Sequence, residues 1–378
     1  MKLIKRIAES ELSKWLHKGK VLVITGARQV GKTTLLNDMF SSGDNTILWL
    51  NADETRVRDR LSNLDIEQLK TVVGSYRTVI IDEVQRVQDA GLLLKILADN
   101  FKNVQFIATS SSSLDISERI FEPLTGRYLL FHLYPFSLTE VYDKKSIFEI
   151  EGKLPFHLVY GNYPDVVNNQ NDAKMLLKNL ADQYLYKDVL IWKDIRKPQL
   201  LDKLLKLLSY QVGSEVSIHE LSKQLGVSSE TVDVYIDLLE KSFVIFRLSS
   251  FSNNPRKEVT KMNKIFFWDN GIRNAVIGNY DDINNRQDVG QLWENFLISE
   301  RLKLNSNLGF DRQSYFWRNY NQSEVDYVEV EKNDISAFEI KWNTHKNHKV
   351  SRAFSNAYPN AKKEVITPNN FDKFCLVK

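Results

Sequence analysis

The chain has 378 residues, of which 43% are hydrophobic and 26% charged, and a formal net charge of +3. The length leads us to expect two or three domains with sizeable cores, and the composition excludes a low-complexity or collagen-like chain. The charge is too close to neutral to announce a nucleic-acid partner by itself. No apolar run approaches the roughly 18 residues of a membrane helix, and MKLIKRIAESELSKWLHKGK has no h-region or small-residue cleavage site, so no membrane association is expected. A single cysteine, Cys375, excludes an internal disulfide and a cysteine-rich metal site, which suits a reducing, cytoplasmic setting.

Residues 1 to 20 read as an amphipathic helix leading into a first strand. The stretch VLVITGARQVGKTTLL at 21 to 36 then has the G-x-x-x-x-G-K-[ST] spacing of a phosphate-binding loop. Gly26 and Gly31 let the backbone of Gly26, Ala27, Arg28, Gln29, Val30, Gly31, Lys32, Thr33 and Thr34 turn its N–H groups onto a phosphate, with a helix N-terminus behind it. Lys32 is placed to reach β- and γ-phosphates and the Thr33 hydroxyl to ligate Mg²⁺, so ATP with Mg²⁺ is the expected ligand.

NTILWLN at 45 to 51 reads as a second buried strand, and TVIIDEVQRV at 78 to 87 as a third that ends in Asp82-Glu83. An acidic pair at the carboxyl end of a parallel strand sits where such sheets bind ligands. Asp82 is the expected Mg²⁺ holder and Glu83 the group that polarises the attacking water. NVQFIATS at 103 to 110 is a further strand, with a γ-phosphate sensor or a cap among Thr109, Ser110, Ser111, Ser112 and Ser113. Arg127 has two readings: a cation that neutralises the transferring phosphoryl group, or a surface partner of a carboxylate.

These residues carry a resemblance. The order GxRxxGKTTLL, Ile80-Ile81-Asp82-Glu83-Val84-Gln85, a serine-rich sensor strand, Gly126-Arg127, Tyr134-Pro135-Phe136-Ser137-Leu138-Thr139-Glu140 and Gly161-Asn162-Tyr163-Pro164 resembles the AAA-type ATPases of bacteria and archaea. Within them it resembles the group with a C-terminal domain of unknown function. The resemblance implies an α/β chain: a P-loop NTPase (AAA-like) parallel sheet with a helical lid, followed by a winged helix and an α/β nuclease-like domain. Where such proteins usually read TGSS, this chain has Thr109-Ser110-Ser111-Ser112. We place the ATPase core at 1–145, the lid at 146–208, the winged helix at 209–275 and the nuclease-like domain at 276–378.

Between about 150 and 210 the apolar residues recur at helical spacing. Ser217-Ile218-His219-Glu220 is a capping-box sequence, and Ser228 can cap the next helix. With KIFFWD at 264 to 269 as a strand, this reads as a helix-turn-helix with a wing. The second helix turns Glu230, Asp233, Asp237 and Glu240 outward, a face that repels DNA phosphates and suits packing on the core or on a partner. His17, His132, His157 and His219 show no metal-ligand spacing.

After a polar stretch at 276 to 290, an amphipathic helix carries Glu294, and SEVDYVEVEKNDISAFEIKW reads as a hairpin carrying Asp326, Glu339 and Lys341. A turn at Lys332-Asn333 puts Asp326 opposite Glu339, and one at Asn333-Asp334 puts it opposite Lys341; either gathers the three on one face. The arrangement resembles the PD-(D/E)xK nuclease fold, in which the positions of Asp326 and Glu339 bind metal, that of Lys341 assists catalysis, and Glu294 matches an acidic helix residue. A cross-strand salt bridge is the alternative. The basic run Lys341, Lys346, Lys349, Arg352, Lys362 and Lys363 suits a polyanion, with a solvated basic face explaining it almost as well. The expectation is an ATPase coupled to a winged helix and a nuclease-like domain that acts on DNA. The alternative is an ATP-dependent switch with a relict nuclease fold that binds a protein partner or a second copy of the chain.

Overall fold

The computed structural model describes residues 3–40, 44–111, 121–143, 145–190, 198–252, 263–344 and 348–376. The chain forms two compact units, one of Lys5–Tyr134 with Lys241–Phe243, the other of Met1–Ile4, Pro135–Glu240 and Val244–Lys378.

The first unit is built on a five-stranded sheet in the order β2-β3-β4-β1-β5, with β1 Val21–Thr25, β2 Ile47–Asn51, β3 Thr78–Asp82, β4 Gln105–Ser110 and β5 Tyr128–His132. Every pairing is parallel. Strands covered on both faces need no alternation, which is why VLVIT is buried at every residue. Leu61, Leu69, Val73, Leu93, Leu94 and Leu97, from three helices, pack on Val79, Ile81 and Phe106 of the sheet. Because all strands run the same way, the carboxyl ends of β1, β3 and β4 meet on one edge. β5 is an element the sequence reading did not separate.

The second unit contains a six-stranded sheet in the order β11-β10-β9-β8-β6-β7. Its strands are β6 Ile245–Ser250, β7 Lys264–Phe267, β8 Gln313–Arg318, β9 Glu324–Glu331, β10 Asp334–Ile340 and β11 Lys362–Ile366. The pair β6 and β7 is antiparallel, and β6 then joins β8 in parallel through Ser249 with Tyr315 and Ser250 with Phe316. The hairpin assigned to residues 209–275 and the strands assigned to 276–378 therefore share one sheet. Lys332 (φ 56) and Asn333 form the turn between β9 and β10, where Asp334 pairs with Glu331 and Phe338 with Tyr327. The next pair in that register is Asp326 with Glu339.

Helices end where their caps dictate. Ser137 and Ser146 each form a reciprocal capping box, with Glu140 and Glu149. Ser217 accepts the N–H of Glu220 at 3.3 Å to open Ile218–Leu225, and Ser228 accepts that of Thr231 at 3.2 Å at the start of Ser229–Lys241. The acidic face of the second helix has a partner: Arg247 on β6 pairs with Asp233 at 3.0 Å, Asp237 at 2.5 Å and Glu240 at 3.2 Å.

A polar knot holds the second unit together. His157, at the end of helix Ile147–Tyr160, bonds Tyr142 Oη at 2.7 Å and Asn162 Oδ1 at 2.6 Å. The Asn162 N–H donates to Asp269 Oδ2 at 2.6 Å, and its amide donates to Glu300 Oε1 at 3.2 Å. Glu300 also takes Lys303 at 2.9 Å and the N–H of Leu138 at 2.7 Å. Asn295 closes the group by exchanging hydrogen bonds with both backbone atoms of Phe267. Burial holds the His157 imidazole down at about 4. A group kept neutral in the fold and charged when unfolded removes stability as the pH falls from about 6.5 to about 4.

Candidate nucleotide site and the C-terminal ion cluster

Gly26 follows β1 directly, and a Cβ there would lie 2.0 Å from the Leu133 carbonyl oxygen, so only glycine fits beneath the loop. Gln29 (φ 58) and Gly31 (φ 94) turn the chain over a space closed by the first turn of helix Lys32–Met39. Lys32 is 6% exposed and donates from Nζ to the carbonyls of Gly26 at 2.8 Å and Ala27 at 2.9 Å. The lysine is thus curled over the loop it serves. Arg28 is half-buried, Val30 is buried, and Thr33 and Thr34 are exposed on the first turn.

The Thr33 hydroxyl donates to Asp82 Oδ2 at 3.0 Å, which brings the loop helix and the end of β3 together. A hydroxyl and a carboxylate this close fit a Mg²⁺ ion, which would be taken up between them when a nucleotide supplies its phosphates. The residue type at the tip of β4 is explained by Thr109: its Oγ1 donates to Asp82 Oδ1 and accepts the N–H of Glu83 at 3.0 Å. Glu83 adopts φ 54, which swings its side chain away from the strand line. Gln85 Nε2 donates to Glu83 Oε2 and to Ser111 Oγ, the second bond 3.0 Å long. Gln85 was not among the sequence candidates; its place two residues after the acidic strand end, beside a polar β4 tip, was the available signal. Ser112 and Ser113 lie outside the described residues.

Arg127 lies elsewhere. It immediately precedes β5, its carbonyl accepts the N–H of Val21 at 2.9 Å, and its Nε pairs with Asp99 at 2.7 Å. Val21 begins β1, so Arg127 is at the edge of the sheet opposite the phosphate loop. The expectation that it neutralises a phosphoryl group is corrected within its own chain: the parallel strands carry it to the wrong end, and a surface ion pair holds it there.

In the second unit, Asp326, Glu339 and Lys341 do meet. Lys341 Nζ is 2.9 Å from Asp326 Oδ2 and 2.8 Å from Glu339 Oε1, and Asp326 Oδ2 also accepts the N–H of Ile340 at 2.7 Å. Glu294, on helix Val289–Asn307, pairs with Lys264 of β7 at 3.1 Å, and Lys264 reaches Glu324 of β9 at 2.5 Å. Burial raises Glu294 to about 7, with Lys264 opposing and Asp326 adding to the rise. Burial likewise raises Glu339 to about 7, reinforced by Asp326 and opposed by Lys341. Lys264 and Lys341 feel burial as a downward pull, but the surrounding carboxylates outweigh it and hold both ammonium groups charged.

The expected metal site at Asp326 and Glu339 does not fit this arrangement. Among the described residues no group of three or more His, Cys, Asp or Glu is placed to hold a metal ion. Asp326 Oδ2 and Glu339 Oε1 face the Lys341 ammonium group instead. Lys264 went unnoticed in the sequence because its partners lie on a helix and a strand some thirty and sixty positions later.

A carboxylate whose folded value stands above its unfolded value contributes stability below the unfolded value and loses it as pH rises through the folded one. The Glu339 contribution therefore fades between about 4.5 and about 7. Glu339→Gln, which cannot ionise, is expected to be more stable than the wild type at pH 8 and no more stable at pH 4.5. Urea midpoints at the two pH values check this; an equal difference at both would contradict it.

Residues 18–142 match the AAA domain family, residues 151–282 a domain of unknown function (DUF8612) and residues 289–374 a domain of unknown function (DUF4143). The first unit, with its parallel sheet, phosphate loop and acidic strand end, has an AAA-like P-loop NTPase fold. Similar chains include an uncharacterized protein of Haemophilus influenzae, 24% identical over 86% of this chain and 84% of that one. An uncharacterized protein of Mycobacterium tuberculosis is 26% identical over 90% of this chain and 74% of that one. Among solved structures, a signal transduction ATPase with numerous domains and a tetratricopeptide repeat sensor from Pyrococcus horikoshii is 15% identical, with a TM-score of 0.31; the match covers 81% of this chain and 48% of that one. Among the described residues no helix is long and apolar enough to cross a membrane.

Proposed function

We propose that the chain binds and hydrolyses ATP with Mg²⁺ and uses the nucleotide state to control the unit of residues 135–378. The observation that carries this is the Thr33 to Asp82 contact of 3.0 Å, because it joins the loop that would hold the phosphates to the carboxylate that would hold the ion. In this reading Lys32 leaves the carbonyls of Gly26 and Ala27 for the β- and γ-phosphates. Bound Mg²⁺ would supply charge neutralisation; Glu83 takes the proton of the attacking water, and Gln85 with Ser111 sets its direction. The setting is cytoplasmic. Phosphate release from ATP tests the reading: Glu83→Gln is expected to keep ATP binding and lose turnover by about 100-fold or more. Turnover that survives both Lys32→Ala and Glu83→Gln would refute it.

For the second unit we favour a switch that binds a protein partner or a second copy of the chain. It would comprise a lid at 146–208, a winged helix at 209–275 and a relict nuclease-like domain at 276–378. Two features favour it over action on DNA: the second helix carries Glu230, Asp233, Asp237 and Glu240, whose charge Arg247 offsets only in part, and both lysines occupy the carboxylates. Incubating DNA with the protein and Mg²⁺ or Mn²⁺, beside Glu339→Ala and Lys341→Ala, decides the matter. Cleavage that both substitutions abolish would establish the nuclease reading instead.

A further inference from the structure

The carboxylates of the C-terminal cluster come from three elements: Glu294 from helix Val289–Asn307, Glu324 and Asp326 from β9, and Glu339 from β10. Packed together without cations they would repel one another in a poorly solvated place, since Glu294 is 16% exposed and Glu339 14% exposed at the side chain. Besides protonation, a divalent ion or an ammonium group can neutralise them. Lys341 supplies part of the charge from within the hairpin. A second cation is Lys264, which belongs to the β6–β7 hairpin, sixty residues earlier in the chain than Glu324.

The Lys264 side chain is 2% exposed, and its Nζ lies over the Phe316 ring, 5.4 Å from the centroid, while pairing with Glu294 and Glu324. Its backbone is pinned on both sides, by the pairing with Leu248 of β6 and by a bridge to Glu215. Glu215 in turn binds Arg318 at 2.7 Å, and Arg318 lies 3.7 Å from Glu324. A long flexible side chain held this firmly behaves as a fixed charge. Glu339 Oε2 is buried without a hydrogen bond, so one acceptor in the cluster is left unspent.

We propose that Lys264 is the built-in counter-cation of this cluster and that, while it is seated, the cluster takes up no divalent metal. The β6–β7 hairpin thereby locks itself onto helix Val289–Asn307 and β9 by charge as well as by strand pairing. A metal could enter only if that hairpin lifted its lysine away, so strand order and ion identity are coupled. The inference is independent of the nucleotide reading, because every residue in it lies in the second unit.

Mn²⁺ binding to the full chain without nucleotide, followed by electron paramagnetic resonance, tests this. The wild type is expected to show no site that Glu294→Gln removes. Lys264→Met keeps the apolar stem and deletes the charge; it is expected to gain one Mn²⁺ site at least about tenfold tighter than any in the wild type, lost again in Lys264→Met with Glu294→Gln. Lys264→Arg, which keeps a cation, is expected to gain none. A wild-type Mn²⁺ site that Glu294→Gln abolishes overturns the proposal even if Lys264→Met fails to fold. So does a folded Lys264→Met protein, judged by circular dichroism, that gains no site.

Discussion

Lys32→Ala is expected to remove ATP binding while leaving the protein folded. The Nζ group holds two carbonyl oxygens of its own loop, at 2.8 and 2.9 Å. The loss falls on the ligand: Lys32 would make charge-assisted bonds to two phosphates, each worth about 1.5 to 3 kcal/mol. Two such bonds amount to about 100-fold or more in affinity. Titration calorimetry with Mg-ATP measures the affinity and thermal melting measures the fold. An affinity within about threefold of the wild type would remove the phosphate loop from the account.

Gly161→Ala is expected to be among the most damaging single changes in the chain. Gly161 ends helix Ile147–Tyr160 at φ 69, ψ −160, a region essentially reserved for glycine. A Cβ there would lie 2.0 Å from Asp269 Oδ1. That carboxylate is buried, accepts the N–H groups of Asn162 and Ile272, and caps helix Asn270–Ile277. Alanine must displace the cap or bend the backbone that presents Asn162 to Glu300. Strain of about 1 to 3 kcal/mol adds to about 1 to 3 kcal/mol for buried hydrogen bonds lost, giving about 2 to 6 kcal/mol in all. Gly278→Ala provides the comparison: its φ is 69, nothing lies within 4 Å of the added Cβ, and a cost of about 1 kcal/mol is expected. Urea unfolding followed in the 135–378 unit checks both, and equal costs at the two positions would show that the Asp269 cap is not the cause.

Local chemistry was legible in the sequence wherever neighbours in the chain are also neighbours in space. The phosphate loop needs only eight consecutive residues, and its backbone turns because Gly26 and Gly31 permit it. The hairpin with Asp326 and Glu339 on one face follows from a two-residue turn and the period of a strand. The capping serines act on amides three residues away. In each case the interaction is short-ranged, so residue type and spacing are sufficient to specify it.

The tertiary structure alone decided which distant charges meet. Arg127 stands beside a glycine like a catalytic arginine, yet parallel strand order carries it to the edge away from the phosphates, where Asp99 receives it. The acidic helix face is matched by Arg247, which arrives on the following strand. Lys264 reads as one more strand residue until the sheet runs from β7 through β6 to β8 and β9, placing its ammonium group among carboxylates that spacing suggested for a metal. The physical reason is common to all three: a charge in a poorly solvated place takes its nature from the nearest opposite charge, and packing, not sequence distance, chooses that neighbour.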